Sequence, residues 1–256
     1  MQLKILGCSG AKSVGKSPTS FLVDNKILID TGSVVSKLDS SFILGNIDCL
    51  FLTHSHFDHI LELPFLLELI LEKGTKPFNV YASEASIKTL YSNVFNYDLW
   101  PDLFEISAKK GGLLKLNEYK HLNEFSISEY KIRPVRVNHT VDTHGLILDS
   151  GESSIAFTGD TYITDSFWEE CNGKSNLKAV IVDVSFPSSM KDSARVTKHM
   201  SVNIVMQELK KLNTKDVKIL VSHMKPQHSE EIRAELEDYR NEYDFTFLED
   251  GMDFEF

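Results

Sequence analysis

The sequence is poor in cysteine, in positive charge and in long apolar runs. Its three cysteines, Cys8, Cys49 and Cys171, are odd in number and widely spaced, which disfavours a disulfide framework and favours reduced thiols. No run approaches the roughly 18 apolar residues of a membrane helix. Lys and Arg number 27 against 37 Asp and Glu, a net charge of −10 that is unfavourable for gripping a long nucleic acid. We therefore expect a cytoplasmic protein without a membrane segment, whose ligand is a small molecule.

A chain of 256 residues with 42% hydrophobic content can bury one substantial core, so we predict a single domain over residues 1–256. Short apolar runs alternate with helical patterns, which is typical of an α/β protein. The predicted strands are Leu3 to Leu6, Ser20 to Asp24, Lys26 to Asp30, Cys49 to Thr53, Phe78 to Ala82, Phe125 to Ile127, Ile132 to Val137, Leu146 to Asp149, Ser154 to Phe157, Ala179 to Val182, Lys218 to Val221 and Phe245 to Leu248. The predicted helices are Ile60 to Leu71, Glu84 to Phe95, Asp165 to Glu170, Ser201 to Leu212 and Glu230 to Tyr239.

The most informative segment is His54-Ser55-His56-Phe57-Asp58-His59, which directly follows an apolar run. Three of the nine histidines fall within these six residues, at the junction of a predicted strand and a predicted helix. In extended backbone His54 and His56 point the same way, whereas Asp58 and His59 fall where the chain turns. Imidazole and carboxylate ligands suit Zn²⁺, with Mn²⁺ or Fe²⁺ as alternatives, and the lack of cysteine disfavours a closed structural zinc. The segment therefore predicts a metal site that can serve two ions.

The H-x-H-x-D-H pattern resembles the signature of the metallo-β-lactamase fold, and the resemblance covers nearly the whole chain. The opening strand with its Gly turn, residues 1–10, and the strand that ends in Asp30-Thr31-Gly32 resemble the first motifs of that fold. Val137-Asn138-His139, Phe157 to Thr161 and Val221-Ser222-His223 follow in the order of its remaining ligand motifs. The resemblance implies a metallo-β-lactamase-like four-layer αββα sandwich of two mixed sheets, with the helices outside.

Two divalent transition-metal ions are implied by the same resemblance. One would be held by His54, His56 and His139, the other by Asp58, His59 and His223, and Asp160 would bridge them. Two ions about 3.5–4 Å apart polarise a phosphoryl oxygen and generate hydroxide at neutral pH, which would be the nucleophile. His144 is a rival to His139, but His139 directly follows a predicted strand. His144 is then either a hydrogen-bonded wall residue or a substrate contact.

Further segments resemble class II cyclic nucleotide phosphodiesterases. They are Leu99-Trp100-Pro101-Asp102-Leu103, Asp183-Val184-Ser185-Phe186-Pro187 and His223-Met224-Lys225-Pro226. The chain also resembles ribonuclease Z, in which an acidic residue such as Asp183 and a later His-x-Ser/Thr, here His199-Met200-Ser201, belong to the catalytic machinery. The resemblance implies hydrolysis of 3′,5′-cyclic nucleotides such as cAMP or cGMP to 5′-monophosphates. A ribonuclease Z-like tRNA endonuclease and a non-catalytic metal-binding module are the alternatives.

Phosphodiester hydrolysis expels an alkoxide, which needs a proton, and a histidine positioned by a carboxylate is a suitable donor. We predict His199 as this donor and Asp183 as the carboxylate that fixes its tautomer, although class II relatives commonly carry Glu at the position of Asp183. Asp58 completes the predicted catalytic set. The alternatives are a helix-terminal residue without a chemical role for His199 and a turn residue for Asp183.

Substrate contacts are assigned to His144, Trp100 and Lys225. The aromatic residues around Trp100, namely Phe95, Tyr97 and Phe104, either form a wall on which a purine stacks or close the core or a dimer contact. The predicted partner is thus a small cyclic nucleotide, and a homodimer remains an open alternative to a monomer.

Overall fold

The computed structural model describes residues 1–213 and 216–256. Within them the strands are β1 Gln2–Gly7, β2 Ser20–Val23, β3 Ile27–Ile29, β4 Cys49–Phe51, β5 Phe78–Ala82, β6 Leu114–Glu118, β7 Phe125–Ile127, β8 Tyr130–Val137, β9 Thr143–Asp149, β10 Ser154–Phe157, β11 Leu177–Asp183, β12 Lys218–Ser222, β13 Phe245–Phe247 and β14 Asp253–Glu255. The α-helices are α1 Ser40–Asn46, α2 Phe57–Ile60, α3 Leu63–Lys73, α4 Glu84–Asn93, α5 Leu103–Lys109, α6 Ser166–Asn172, α7 Lys191–Thr197, α8 Val202–Glu208 and α9 Ser229–Glu237. Short 3₁₀ turns cover Ser188–Met190, Leu209–Lys211 and Pro226–His228.

The strands form two seven-stranded mixed sheets, which confirms the predicted fold class. The first sheet has the order β14-β1-β2-β3-β4-β5-β6 and the second β13-β12-β11-β10-β9-β8-β7. In each sheet three neighbouring strand pairs are antiparallel and three are parallel; β3 to β6 and β10 to β13 are the parallel strands.

The alternation of side chains along the strands explains why the sheets pack face to face. One face of each sheet, with Ile29 and Phe51 from the first and Phe157 and Ile181 from the second, lies in a shared central core. The opposite face of the first sheet packs under α1, α3, α4 and α5, and that of the second under α6, α8 and α9. The result is a sandwich of four layers in the order helix, sheet, sheet and helix.

The ends of the parallel strands place the polar motifs at one edge of the sandwich. In the first sheet Asp30 follows β3, and Thr53 and His54 come just after β4. In the second sheet Asp160 follows β10, while β11 ends at Asp183. Because the carboxyl ends of parallel strands share one edge, residues far apart in sequence meet there.

The predicted helix Ile60 to Leu71 is wrong as one element. The structure has α2 and α3 separated by Leu61 and Glu62, because Pro64 lacks a backbone N–H and is accommodated only in the first turn of a new helix. Five further elements were not predicted from the sequence, namely α1, α5, α7, β6 and β14. The sequence did hold a signal for α5, because Asp is a favoured residue at the start of a helix. In the structure the side chain of Asp102 accepts from Glu105 N at 2.9 Å and caps α5. Among the described residues no helix is both long and apolar enough to cross a bilayer.

Candidate metal centre

Three imidazoles and a carboxylate converge at the edge of the sandwich. Nε2 of His54 and of His139 lie 3.6 and 3.8 Å from Oδ2 of Asp160. His139 Nε2 is also 3.1 Å from His56 Nδ1. The loop after β4 supplies His54 and His56, the connection between β8 and β9 supplies His139, and the loop after β10 supplies Asp160. These four residues form one group whose ligand atoms could share an ion.

A second group lies on the other side of Asp160. His59 Nε2 is 3.3 Å from Asp160 Oδ1, and His223 Nε2 is 3.3 Å from Asp160 Oδ2. The two imidazole nitrogens lie 3.4 Å apart, and Asp58 Oδ2 lies 3.3 Å from His223 Nε2. Asp58, His59 and His223 are close enough to share a second ion. Asp160, which is 2% exposed, therefore faces both groups.

The donor atoms fit divalent transition-metal ions. Imidazole nitrogen and carboxylate oxygen are ligands that Zn²⁺, Mn²⁺ and Fe²⁺ accept. Nε2 of His54 is fully buried and has no hydrogen-bond partner among the described residues, although it points at Asp160. A buried nitrogen left without a partner is costly, and a metal ion would satisfy it. The sequence-predicted ligands thus all lie in the two groups, and their role as ligands stays a prediction.

His199 lies against this cluster without joining either group. Its Nδ1 donates to Asp183 Oδ2 at 2.8 Å, and its ring stacks on that of His223 with centroids 5.0 Å apart. A further arrangement of Asp160, Asp183, His199 and His223 is also compact enough to surround an ion. The predicted pair of His199 and Asp183 is therefore in contact, beside the predicted ligands.

Burial and charge set the protonation of the cluster. Burial disfavours the charged carboxylate of Asp160, but His223, His59 and His54 outweigh this and hold its pKa well below the usual range. Burial lowers the pKa of His139 to about 4 and lowers that of His54 strongly. Burial also acts against a charged His199, yet Asp183 and Asp160 raise its pKa above the usual value. These surroundings favour neutral His54 and His139 and a readily protonated His199. Burial also acts against a charged His59, yet Asp160 and Asp30 raise its pKa well above the usual value.

Two glycines permit the close approach of separate segments. A Cβ on Gly10 would lie 2.5 Å from the carbonyl oxygen of His223, and one on Gly32 would lie 2.3 Å from that of Asp58. Three other residues at the site, Asp30, Lys198 and His223, adopt left-handed backbone with φ between 55° and 61° although they are not glycine. Such strain is tolerated where the surrounding structure fixes a side chain or carbonyl in place.

The predicted substrate residues have different surroundings. Lys225 Nζ donates to Gly10 O at 2.6 Å, and the positive charge of Lys225 acts to lower the pKa of His199. The ring of His144 packs on Tyr119, 5.2 Å between centroids, and burial lowers its pKa to about 4. The structure does not bring His144 into either ligand group.

The aromatic residues near Trp100 mostly close the core. Phe95 and Phe104 are buried and contact each other edge to face, so they cannot form an exposed wall. Trp100 packs on Phe65 at 5.3 Å, and Tyr97 is exposed and donates to Glu105. Of the two alternatives for these rings, the core contact holds for Phe95 and Phe104.

Sequence reasoning missed the residues that hold the outer nitrogens of the ligands. His59 Nδ1 lies 2.7 Å from Asp30 Oδ2, and His54 Nδ1 lies 3.0 Å from Thr53 Oγ1. Ser185 Oγ lies 2.9 Å from His223 Nδ1. His139 Nδ1 donates to the backbone carbonyl of Lys198. Among these partners, the sequence held a signal only for Asp30, which lies at the end of a predicted strand.

Residues 25–224 match the model of a family described as the beta-lactamase superfamily domain. The chain belongs to the beta-lactamase superfamily. Among the relatives of this chain, one from Yersinia pestis, named probable 3′,5′-cyclic-nucleotide phosphodiesterase, is 24% identical over 89% of this chain and 80% of its own. Another, from Aliivibrio fischeri and named 3′,5′-cyclic-nucleotide phosphodiesterase, is 25% identical over 86% and 80%. A ribonuclease Z from Archaeoglobus fulgidus is 22% identical over 99% of this chain and 97% of its own.

A solved structure shares the architecture. The metallo-beta-lactamase fold protein YhfI from Bacillus subtilis superposes with a TM-score of 0.80 at 18% identity, covering 99% of both chains. At this identity the likeness shows the fold alone. The fold that the H-x-H-x-D-H segment suggested is thereby confirmed.

Proposed function

We propose that this chain is a dinuclear metal-dependent phosphodiesterase that hydrolyses 3′,5′-cyclic nucleotides, such as cAMP or cGMP, to 5′-monophosphates. The observation that carries the proposal is the position of Asp160 between two groups of ligand atoms, with the His199–Asp183 pair beside them. Two divalent ions bound there would polarise a phosphoryl oxygen and lower the pKa of a bound water.

In this proposal the ligands divide as the geometry groups them. His54, His56 and His139 would hold one ion, Asp58, His59 and His223 the other, and Asp160 would contact both. Zn²⁺ suits these donors, and Mn²⁺ or Fe²⁺ would also be accepted.

His199 is proposed to protonate the departing 3′ oxygen. Its Nδ1 proton is directed to Asp183, so Nε2 is the nitrogen that can carry the transferable proton. The raised pKa of His199, set by Asp183 and Asp160 against the effect of burial, keeps that proton available near neutral pH. Water adds to phosphorus as hydroxide and releases one proton, the bond from phosphorus to the 3′ oxygen breaks, and the proton from His199 completes the 3′ hydroxyl. The proton released by the water then restores that of His199 through the solvent.

Lys225 is proposed to contribute attraction for the anionic substrate, because it is a cation held by Gly10, whose backbone packs against His223, in a chain of net charge −10. Contacts of His144 and Trp100 with the base or ribose stay proposals of the same kind. A cyclic phosphodiester carries one negative charge, which the metal centre and one lysine can bind without an extended basic surface.

The alternative is a ribonuclease Z-like endonuclease, because the relative from Archaeoglobus fulgidus is named ribonuclease Z. The net charge of −10 favours the cyclic nucleotide, since tRNA binding depends on many Lys and Arg contacts to phosphates.

A parallel product assay decides between them. The purified protein, loaded with Zn²⁺ or Mn²⁺, is incubated with cAMP, cGMP, a cyclic dinucleotide and a precursor tRNA, and the products are separated by chromatography. An Asp160→Asn variant prepared in the same way controls for contaminating enzymes. We expect a 5′-monophosphate from a cyclic mononucleotide; inert cyclic mononucleotides beside efficient cleavage of the precursor tRNA would establish the nuclease instead.

A further inference from the structure

A buried carboxylate of the first sheet holds two imidazoles, one directly and one through a hydroxyl. Asp30 accepts from the backbone N–H of Thr53 at 2.8 Å, from the Thr53 hydroxyl at 2.8 Å and from His59 Nδ1 at 2.7 Å. The same Thr53 hydroxyl lies 3.0 Å from His54 Nδ1. Asp30 is thus connected to the two histidines of different ligand groups.

A carboxylate of the second sheet has the same set of donors. Asp183 accepts from the backbone N–H of Thr161 at 3.1 Å, from the Ser185 hydroxyl at 2.7 Å and from His199 Nδ1 at 2.8 Å. The Ser185 hydroxyl lies 2.9 Å from His223 Nδ1. Each carboxylate therefore binds one backbone N–H, one imidazole and one hydroxyl that touches a second imidazole.

The single proton of each hydroxyl determines the tautomer of the second imidazole. A carboxylate oxygen accepts, so the hydroxyl of Thr53 donates to Asp30 and can only accept from His54 Nδ1. Ser185 has two acceptors for its proton, Asp183 and the more distant carbonyl of His223 at 3.2 Å, and with either one its oxygen must accept from His223 Nδ1. Both rings then carry Nδ1–H and direct the lone pair of Nε2 toward Asp160.

We propose that Thr53 and Ser185 are positioning residues, each of which sets the metal affinity of one ligand group by fixing the tautomer of one histidine. Thr53 acts through His54 on the ion shared with His56 and His139. Ser185 acts through His223 on the ion shared with Asp58 and His59. The inference rests on the proposed metal centre but is independent of the substrate.

The test is a crossed measurement of Zn²⁺ affinity. In a His139→Ala background, which weakens the first site, Ser185→Ala should lower the affinity of the remaining ion about 10–100-fold, whereas Thr53→Val, which touches that site only through Asp30 and His59, should have a much smaller effect. In an Asp58→Ala background, which weakens the second site, Thr53→Val should give the large loss of affinity for the remaining ion and Ser185→Ala the small one. Affinity is measured by competition with a chromophoric chelator, and metal content by elemental analysis after dialysis.

Matched variants separate a tautomer effect from a packing effect. Thr53→Ser and Ser185→Thr keep the hydroxyl and should restore the affinity. Thr19→Val is the control, because Thr19 Oγ1 is buried near Asp160 but has no hydrogen-bond partner among the described residues. Circular dichroism and thermal melting verify that every variant is folded.

A second readout uses the unsubstituted protein. With ¹⁵N-labelled histidine in the metal-free protein, above the pH at which the rings lose their second proton, His54 and His223 should be the Nδ1–H tautomers. Nε2–H tautomers would overturn the proposal. The proposal would also be overturned if Thr53→Val and Ser185→Ala bound Zn²⁺ as tightly as Thr19→Val. Equal losses of Zn²⁺ affinity in both backgrounds, which Thr53→Ser and Ser185→Thr fail to restore, would overturn it as well. Failure of cyclic nucleotide hydrolysis with both ions bound would contradict the proposed function and leave this proposal intact.

Discussion

His199 and Asp183 form a hydrogen bond of 2.8 Å between Nδ1 and Oδ2, at the carboxyl end of β11 and beside both ligand groups. For a proton donor this geometry predicts that His199→Ala keeps both ions but loses roughly 10²–10⁴ in kcat on cyclic nucleotides. A nitrophenyl phosphodiester, whose leaving group needs no proton, should lose far less. His228→Ala is the control, because His228 lies 6.1 Å from the same Phe186 ring that lies 6.2 Å from His199, and it is in neither ligand group. Equal losses on both substrates would point to positioning, and a fall in metal content would make His199 a ligand.

Asp160 should be the most sensitive of the proposed ligands, because it alone faces both groups. Asp160→Ala should bind both ions weakly, whereas His139→Ala should weaken only one, so turnover should fall further for Asp160→Ala. Elemental analysis and steady-state kinetics on the two variants, at equal protein concentration, test this. Near-normal turnover with two ions bound to Asp160→Ala would refute the bridging role.

The ligands could be predicted from the sequence because each follows an apolar strand, and strand ends meet at one edge of a sheet. The roles of Asp30 and Ser185 could not, since they depend on contacts with His59 and His223, which lie 29 and 38 residues away. No local pattern distinguishes a serine that touches an imidazole from one that faces solvent.

Whether the aromatic residues near Trp100 lie in the core or at the site could not be predicted from the sequence, for a similar reason. The predicted helix Glu84 to Phe95 ends at Asn93, and the chain then turns so that Phe95 enters the core of the first sheet. Strand β6 was missed because Leu114 and Leu116 alternate with Lys115 and Asn117 over only five residues, which is a weak pattern.

Two ions per chain are expected in protein that has not met a chelator. Removal of the ions should abolish activity and lower the melting temperature, because ions bound only by the folded state stabilise it. Re-addition of Zn²⁺ or Mn²⁺ should restore both properties. A metal content near zero together with activity that does not respond to added ions would contradict the dinuclear centre.

The cysteines should be unreactive in the folded protein. Burial raises the pKa of Cys8 and of Cys49 to about 12 and raises that of Cys171 as well. A thiol with a pKa near 12 has roughly 10³-fold less thiolate at pH 8 than an exposed one, and the thiolate is the nucleophile. Reaction with a disulfide reagent at pH 8 should be slow until denaturant exposes three thiols. Rapid modification of one thiol in the folded protein would contradict this burial.

The most direct test of the central claim is hydrolysis of cAMP and cGMP in H₂¹⁸O by the protein with two ions bound, followed by mass spectrometry of the products. We predict a 5′-monophosphate that carries one ¹⁸O on its phosphate and an unlabelled 3′ hydroxyl, because water attacks phosphorus and the 3′ oxygen departs with a proton. No product from either cyclic nucleotide, or a 3′-monophosphate in its place, would contradict the account.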